Sequence, residues 1–420
     1  LTAQKRQELL EKNQEFAEQA LRVLGFAYKD LEDTEADEEQ VESDMVFLGL
    51  QGMIDPPRKE VRSAVEDCRD AGIRVVMATG DNIETAKAIG RKVGFNPAGA
   101  MTGPEIEDLT ADELATEVEN TEIFARVSPE HKVKILKALQ KNGHNVAMTG
   151  DGVNDAPALK NSDVGIAMGE RGTDVAKQSA DMILQDDNFV TIRDAIAEGR
   201  GIFDNVKKFV NYLLSANAGE VLVVFFGILL GTVLFPEIFQ ENAEALILTP
   251  IMLLWINLVT DGMPALALGM DPKSDNIMDR EPRGADEQVI SKRMMLSIIG
   301  MGGIMTITGL PLFFYGLEVT GDLIIAQTMI FTFLVLVEMF RIQTIRRRYK
   351  QSLLTNKWLI MALASSILLQ LAVLYTPLSS FFGVATLGLQ EWIWMMAAVV
   401  GFLGITVIMI KIFDYMSGLE

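Results

Sequence analysis

The sequence predicts two architectures in one chain: an α/β domain on a parallel, doubly wound sheet, then an α-helical bundle of six membrane spans. Three observations carry this reading. Short apolar runs alternate with amphipathic helical patterns through the first 200 residues, as in a parallel sheet covered by helices on both faces. Six apolar stretches of about 20 residues fill the remainder, the length that a bilayer core requires. Charge divides the same way: residues 1–200 hold 23 Lys and Arg against 39 Asp and Glu, whereas residues 201–420 hold 14 against 18.

Residues 1–45 read as a helix and a short strand (LRVLGFAYKDL), then an acidic tract, Glu32–Glu39, of solvated-loop character. VFLGLQGMI has strand length and is stopped by Asp55-Pro56-Pro57, a hinge candidate, because proline continues neither a ladder nor a helix interior. The expected order is then helix 59–71, strand IRVVMATG, helix 83–93, a variable stretch, helix 129–142, strand NVAMTG, helix 154–161 and strands VGIAM and ADMIL. Two of these strands end in Thr-Gly-Asp. Ligands of open α/β sheets gather at the carboxyl ends of strands, so both acidic turns should open onto one site.

The spans are expected near 206–231, 246–270, 294–316, 324–342, 357–376 and 391–412. Loops near 232–245, 317–323 and 377–390 contain no Lys or Arg, whereas 271–293 carries Lys273, Arg280, Arg283, Lys292 and Arg293, and 341–357 is basic again. The positive-inside rule makes the basic loops, and with them the acidic domain, cytoplasmic. Trp392 and Trp394 stand where an interfacial aromatic belt would place them, although a packed bundle accommodates them equally well. A net charge of −20 argues against nucleic acid as a partner. A single cysteine, Cys68, excludes an intrachain disulfide framework. Residues 1–20 are charged and lack the apolar core of a signal peptide; the chain opens inside an amphipathic pattern, as though a segment preceded it.

The most specific motif is MTGDGVNDAPAL at 148–159. It sets Asp151 and Asp155 on a glycine-loosened turn with Asn154 beside them, an arrangement suited to Mg²⁺ and a phosphoryl group. DGVND alone fits an Asp-Gly turn with a helix cap at Asn154 or Asp155 just as well. Thr79, in Thr79-Gly80-Asp81, can hydrogen-bond a phosphate oxygen from a strand end, and Lys132, in ARVSPEHK, can neutralise charge that develops on phosphoryl transfer.

Together and in this order, VMATGDN, DPPR, FARVSPEHK and MTGDGVNDAPALK resemble the haloacid-dehalogenase-like phosphotransferase fold, and more closely the phosphorylation domain of P-type ATPases. The resemblance runs from about Leu9 to the last helix. It implies an ATP- and Mg²⁺-dependent translocase. Asp151 would be a Mg²⁺ ligand, and Thr79, Gly80, Asp81, Arg126, Lys132 and Asn154 would contact nucleotide or phosphate. Arg22 matches a nucleotide-contacting arginine, so that 1–45 would end a nucleotide-binding domain, 46–200 form the phosphorylation domain and 201–420 the transmembrane domain. The family's phosphorylated aspartate lies in DKTGT and its actuator carries TGE, and neither motif occurs here. The resemblance therefore implies a separate amino-terminal half with the actuator domain, the nucleophile segment and the first four helices; these 420 residues alone should not complete a cycle.

Ionisable residues within apolar segments are costly enough to suggest function. Asn217 and Glu220 are three residues apart on the first span, Asn257, Thr260 and Asp261 share a face of the second, and Glu338 lies in the fourth. These six side chains offer oxygen ligands alone, as a hard cation of the calcium type needs, and no span contains Cys or His, against copper or zinc. Pro264, after Asp261-Gly262-Met263, should free carbonyls and break the second span near this site. Hydrogen bonding between helices is the plainer alternative. The same segments resemble calcium pumps of the sarcoplasmic-reticulum type, which implies that Asn217, Glu220, Asn257, Thr260, Asp261 and Glu338 are ligands for transported Ca²⁺, with room for two ions once the missing half contributes. A manganese, sodium or proton pump, or a non-catalytic membrane subunit, remains the alternative. The expected location is the plasma membrane of a prokaryote.

Overall fold

The computed structural model describes residues 2–19, 21–30, 41–53, 56–240, 245–284, 288–352 and 354–417. The tract Glu32–Glu39, Asp55 of the expected hinge and the side chain of Arg22 lie outside the described residues. The chain forms two compact units, one of 1–197 with 278–286 and the other of 198–277 with 287–420.

In the first unit, helix α1 (Ala3–Glu18) precedes an antiparallel pair, β1 (Arg22–Tyr28) and β2 (Val46–Met53). Six further strands follow: β3 (Met77–Ala78), β4 (Ala100–Thr102), β5 (Ile123–Ala125), β6 (Ala147–Gly150), β7 (Val164–Met168) and β8 (Met182–Leu184). All six pair in parallel, as the alternating pattern predicts, but in two three-stranded sheets ordered β3-β5-β4 and β6-β7-β8. The parallel pairing is therefore shared between two three-stranded sheets, with β3 and β6 each at an edge among the described residues.

Helices α2 (Val61–Asp70), α3 (Ile83–Val93), α4 (Gly103–Asp108), α5 (Ala111–Glu117), α6 (Pro129–Lys141), α7 (Ala156–Asn161) and α8 (Asp174–Gln178) connect the strands. Local chemistry fixes their ends. Asn82 accepts the Glu84 amide at 3.0 Å to start α3, and Gly94 closes it at φ 95°, a conformation that costs glycine little. β4 and β5 escape the sequence reading because each is three residues with no longer apolar run around it, unlike β3, which ends the run IRVVMATG. Yet β5 is the buried centre of its sheet, with Ile123, Phe124 and Ala125 wholly enclosed.

Six helices among the described residues are long and apolar enough to cross a membrane, and all lie in the second unit except the start of the first of them, Phe189–Ala197. They are α9 (Phe189–Leu234), a broken second span, α13 (Lys292–Thr320), α14 (Leu323–Arg348), α15 (Lys357–Tyr375) and α17 (Leu389–Ser417), with short helices α10 (Pro236–Phe239) and α16 (Leu378–Phe382) in between. The broken span comprises α11 (Pro250–Trp255), a π turn over Ile256–Thr260 and α12 (Gly262–Gly269). The Asp261 amide bonds the Ile256 carbonyl at 2.9 Å, five residues back. Pro264 has no N–H to offer the Thr260 carbonyl, which is the discontinuity its position predicts. α14 runs to Arg348, well past the expected end at 342, and Arg341 and Arg346 are buried within it. Arg346 therefore belongs to the bundle and not to a basic loop, and Arg341 lies within the span as its expected bounds 324–342 imply.

Candidate functional site

The first candidate site lies at the carboxyl ends of β3 and β6. Beyond β3, the Thr79 hydroxyl donates to Asp81 Oδ2 at 2.9 Å and accepts the Asp81 amide at 3.1 Å, which folds Thr79-Gly80-Asp81 into a tight turn. The turn is tied to the segment after β5: the Arg126 amide donates to the Asp81 carbonyl at 2.9 Å, and the Val127 amide to the Thr79 carbonyl at 3.1 Å. Arg126 adopts a left-handed φ of 51°, uncommon for a residue with a side chain. Gly103 accommodates it, since a Cβ there would strike the Arg126 carbonyl and the His131 ring. Ser128 caps α6 by accepting the His131 amide at 3.3 Å, and this start places Lys132 in the first turn.

Lys132 Nζ reaches Asp155 Oδ1 at 2.6 Å. The other Asp155 oxygen accepts the amides of Asp151 and Gly152 at 3.1 and 3.2 Å, so the carboxylate is folded beneath its own turn. A Cβ at Gly150 would collide with Asp155, hence the glycine before the motif's first aspartate. Burial raises the Asp155 carboxyl, but the Lys132 ammonium and the two amides outweigh it and hold the group below the usual carboxylate range. Asp151, Asn154, Gly80, Asp81 and Arg126 are exposed. The two aspartates of the motif therefore differ. Asp151 presents an oxygen donor at the strand end, as a hard cation such as Mg²⁺ requires, while Asp155 is occupied in orienting Lys132 and the turn.

The second candidate site lies inside the second unit. Glu220 on α9, Asp261 after the π turn and Glu338 on α14 each bring a carboxylate oxygen within 4.8 Å of the others. All three residues are buried, with Asp261 fully enclosed. Their partners are few. Tyr212 donates its hydroxyl to Asp261 Oδ1 at 2.8 Å, and the Asn257 amide donates to Glu220 Oε2 at 3.0 Å. Glu220 Oε1, Asp261 Oδ2 and both Glu338 oxygens have no hydrogen-bond partner among the described residues. Buried acceptors without donors are costly, and a cation supplies what they lack. Thr260 is buried beside them and bonds its hydroxyl back to the Ile256 carbonyl at 3.0 Å. Asn257, exposed, touches the group through Glu220, whereas Asn217, also exposed, donates to the Leu213 carbonyl of its own helix at 3.0 Å and makes no hydrogen bond to the carboxylates among the described residues.

Two residues of this region escape the sequence reading. Tyr212 looks like ordinary core in NYLL, and nothing in its neighbours marks it. Arg341 carried a usable signal, an ionisable residue three positions beyond Glu338 and still inside the expected span 324–342, but it is counted there only with the basic stretch 341–357.

Residues 2–163 match the family model described as haloacid dehalogenase-like hydrolase, and residues 245–413 match that described as cation transporting ATPase, C-terminus. Among relatives, the chain is 45% identical over 386 residues to a calcium-transporting ATPase of Bacillus subtilis, covering 90% of this chain and 42% of that protein. It is 41% identical over 415 residues to calcium-transporting ATPase 1 of Bacillus cereus, covering 93% and 45%. With calcium-transporting ATPase 4, endoplasmic reticulum-type, of Arabidopsis thaliana it shares 36% over 463 residues, covering 90% and 42%. The chain spans a little under half the length of the curated relatives it matches. With both family models in this order and this identity along nine-tenths of its length, the chain belongs to the P-type cation-transporting ATPases.

Proposed function

We propose that this chain supplies the phosphoryl-transfer and ion-binding regions of an ATP-driven calcium pump, working with an amino-terminal half that brings the phosphorylated aspartate, the actuator and further helices. The observation that carries the reading is the group of three buried carboxylates, with four orphaned oxygens, held within 4.8 Å in apolar helices. All the donors there are oxygens, and carboxylate, amide and hydroxyl together suit Ca²⁺ as the transported substrate. Asn217, Glu220, Asn257, Thr260, Asp261 and Glu338 are its ligands in this reading, Asn257 already holding Glu220 and Asn217 having to turn from the Leu213 carbonyl to take part.

In the other unit, Asp151 holds Mg²⁺, and Thr79, Gly80, Asp81, Arg126, Asn154 and the amino-terminal Arg22 contact nucleotide or phosphate. Lys132, aimed by Asp155, meets negative charge on the transferring group. The names of the bacterial relatives favour calcium over manganese, sodium or protons, and their bacterial sources, with the six candidate spans, support a prokaryotic plasma membrane as the location. The test is equilibrium calcium binding and calcium-activated ATPase of the complete pump. Glu220→Gln should weaken calcium binding and Asp151→Asn should lose Mg²⁺-dependent phosphoenzyme. An unchanged calcium response in the first, or wild-type phosphoenzyme in the second, would refute the corresponding assignment.

A further inference from the structure

Among the described residues the membrane unit buries three basic side chains, Lys208, Arg341 and Arg346, and two of them share one anion. Lys208 Nζ lies 2.8 Å from Asp271 Oδ2, and Arg346 Nε lies 3.0 and 3.2 Å from the two Asp271 oxygens. The third, Arg341, is 1% exposed and has no carboxylate at hydrogen-bond distance among the described residues. Its Nη2 donates to the neutral Asn211 amide oxygen at 3.0 Å, and its Nε and Nη1 have no partner among the described residues. A cavity of about 10 Å³ lined by Asn211, Ser297, Met301 and Arg341, among others, lies against it, about the room of one water.

A guanidinium cannot shed its proton under ordinary conditions, and burying one without an anion is severely unfavourable. The neighbouring anions are those of the carboxylate group. Arg341 follows Glu338 by three residues on α14, one turn and about 4.5 Å along the axis. The charges of Glu338 and Asp261 favour its ionised form, and that of Arg348 opposes it. Asn211, which holds the guanidinium, adjoins Tyr212, which holds Asp261, so one turn of α9 positions both the cation and the anion.

We infer that Arg341 is a fixed internal counter-cation of the three-carboxylate site, compensating part of its charge when it is empty and lowering its affinity for a divalent ion when it fills. The inference rests on the reading of Glu220, Asp261 and Glu338 as a cation site and adds a specificity-determining residue that touches no ion. Removal of the charge should tighten binding, whereas loss of a merely structural residue should weaken it.

The experiment measures calcium activation of ATPase and equilibrium binding of radioactive calcium by the complete pump at alkaline pH, where proton competition is least. Arg341→Gln, which retains a donor for Asn211, should lower the calcium concentration for half-activation by about tenfold, while Arg341→Lys stays near the unmodified value. Should Arg341→Gln fail to fold, Asn211→Asp tests the same idea with the arginine in place: a carboxylate at the Nη2 contact should shield its charge and tighten calcium binding as well. Unchanged or weaker calcium activation in a folded Arg341→Gln, or in Asn211→Asp, overturns the inference while leaving the calcium site standing. No calcium response in the unmodified pump would instead remove the calcium reading, and this inference with it.

Discussion

Two buried acidic centres of the membrane unit use the same side-chain chemistry to opposite ends. At Asp271 one carboxylate receives Lys208 at 2.8 Å, Arg346 at 3.0 Å and the Asn356 amide at 3.0 Å, while its carbonyl accepts Asn205 at 2.8 Å. Those bonds join the loop after α12 to α9, to the end of α14 and to the cap of α15, and leave neither carboxylate oxygen vacant. At Glu220, Asp261 and Glu338, three carboxylates share two donors and keep four oxygens unmet. A centre that must hold helices together is saturated by the protein. On the proposed reading, a centre that accepts and releases an ion is left short of the charge that the ion brings.

The largest effect expected from this contrast is at Asp261. Asp261→Asn should weaken calcium binding by about 100-fold or more, because a ligand charge is lost in a medium where each charge counts heavily. The same variant should melt no lower than the unmodified protein in the absence of calcium. Neutralising one of three neighbouring buried carboxylates relieves repulsion, and the Tyr212 hydroxyl can still donate to the asparagine oxygen. A large loss of thermal stability without calcium would show that the group is a structural centre after all.

Asp271→Asn should behave in reverse. It strands Lys208 and Arg346, both almost fully buried, without their anion, at a cost of about 3–5 kcal/mol. Thermal unfolding of the detergent-solubilised pump reads that loss, and the protein that remains folded should bind calcium with native affinity. A stable Asp271→Asn protein with altered calcium affinity would erase the distinction between the two centres.

How far these centres were legible in sequence follows from their chemistry. Glu220, Asp261 and Glu338 stand out because ionisable residues in apolar runs are rare, and the π turn before Asp261 is foreshadowed by Pro264. Asp271, Lys208 and Arg346 do not stand out, since each lies near a span end where a charge ordinarily meets water. Only tertiary packing turns them inward. The parallel strands were readable where the apolar run was long, as in VGIAM, but β5 carries just Ile123, Phe124 and Ala125 between polar neighbours. Its burial comes from the helices above and below it. The MTGDGVND turn announced two carboxylates but not that Gly150 makes room for one of them to fold under the other.

Asp155, in the other unit, lies between these extremes, and its pH dependence should be the smallest effect of the three. It is nearly buried and satisfied by Lys132 and two amides, yet it has a single cation where Asp271 has two. Its carboxyl is held below the usual range in the folded protein, so the folded state favours the ionised form. Stability from this group is therefore present above the ordinary carboxylate pKa of about 3.9 and is lost as pH falls through the lower, folded value. The expected contribution is up to about 1 kcal/mol, since burial opposes the hydrogen bonds that create it. Hydrogen exchange of the Asp151 and Gly152 amides in the intact chain would report it. Protection should persist to below the ordinary carboxylate range and then fall, and Asp155→Asn should abolish that acid-side step. Lys132→Met should move the step to higher pH, because the ammonium that favours the ionised form is gone while burial still opposes it. An acid-side step of unchanged position in Lys132→Met would mean that the amides of the turn, and not the lysine, set the charge of Asp155.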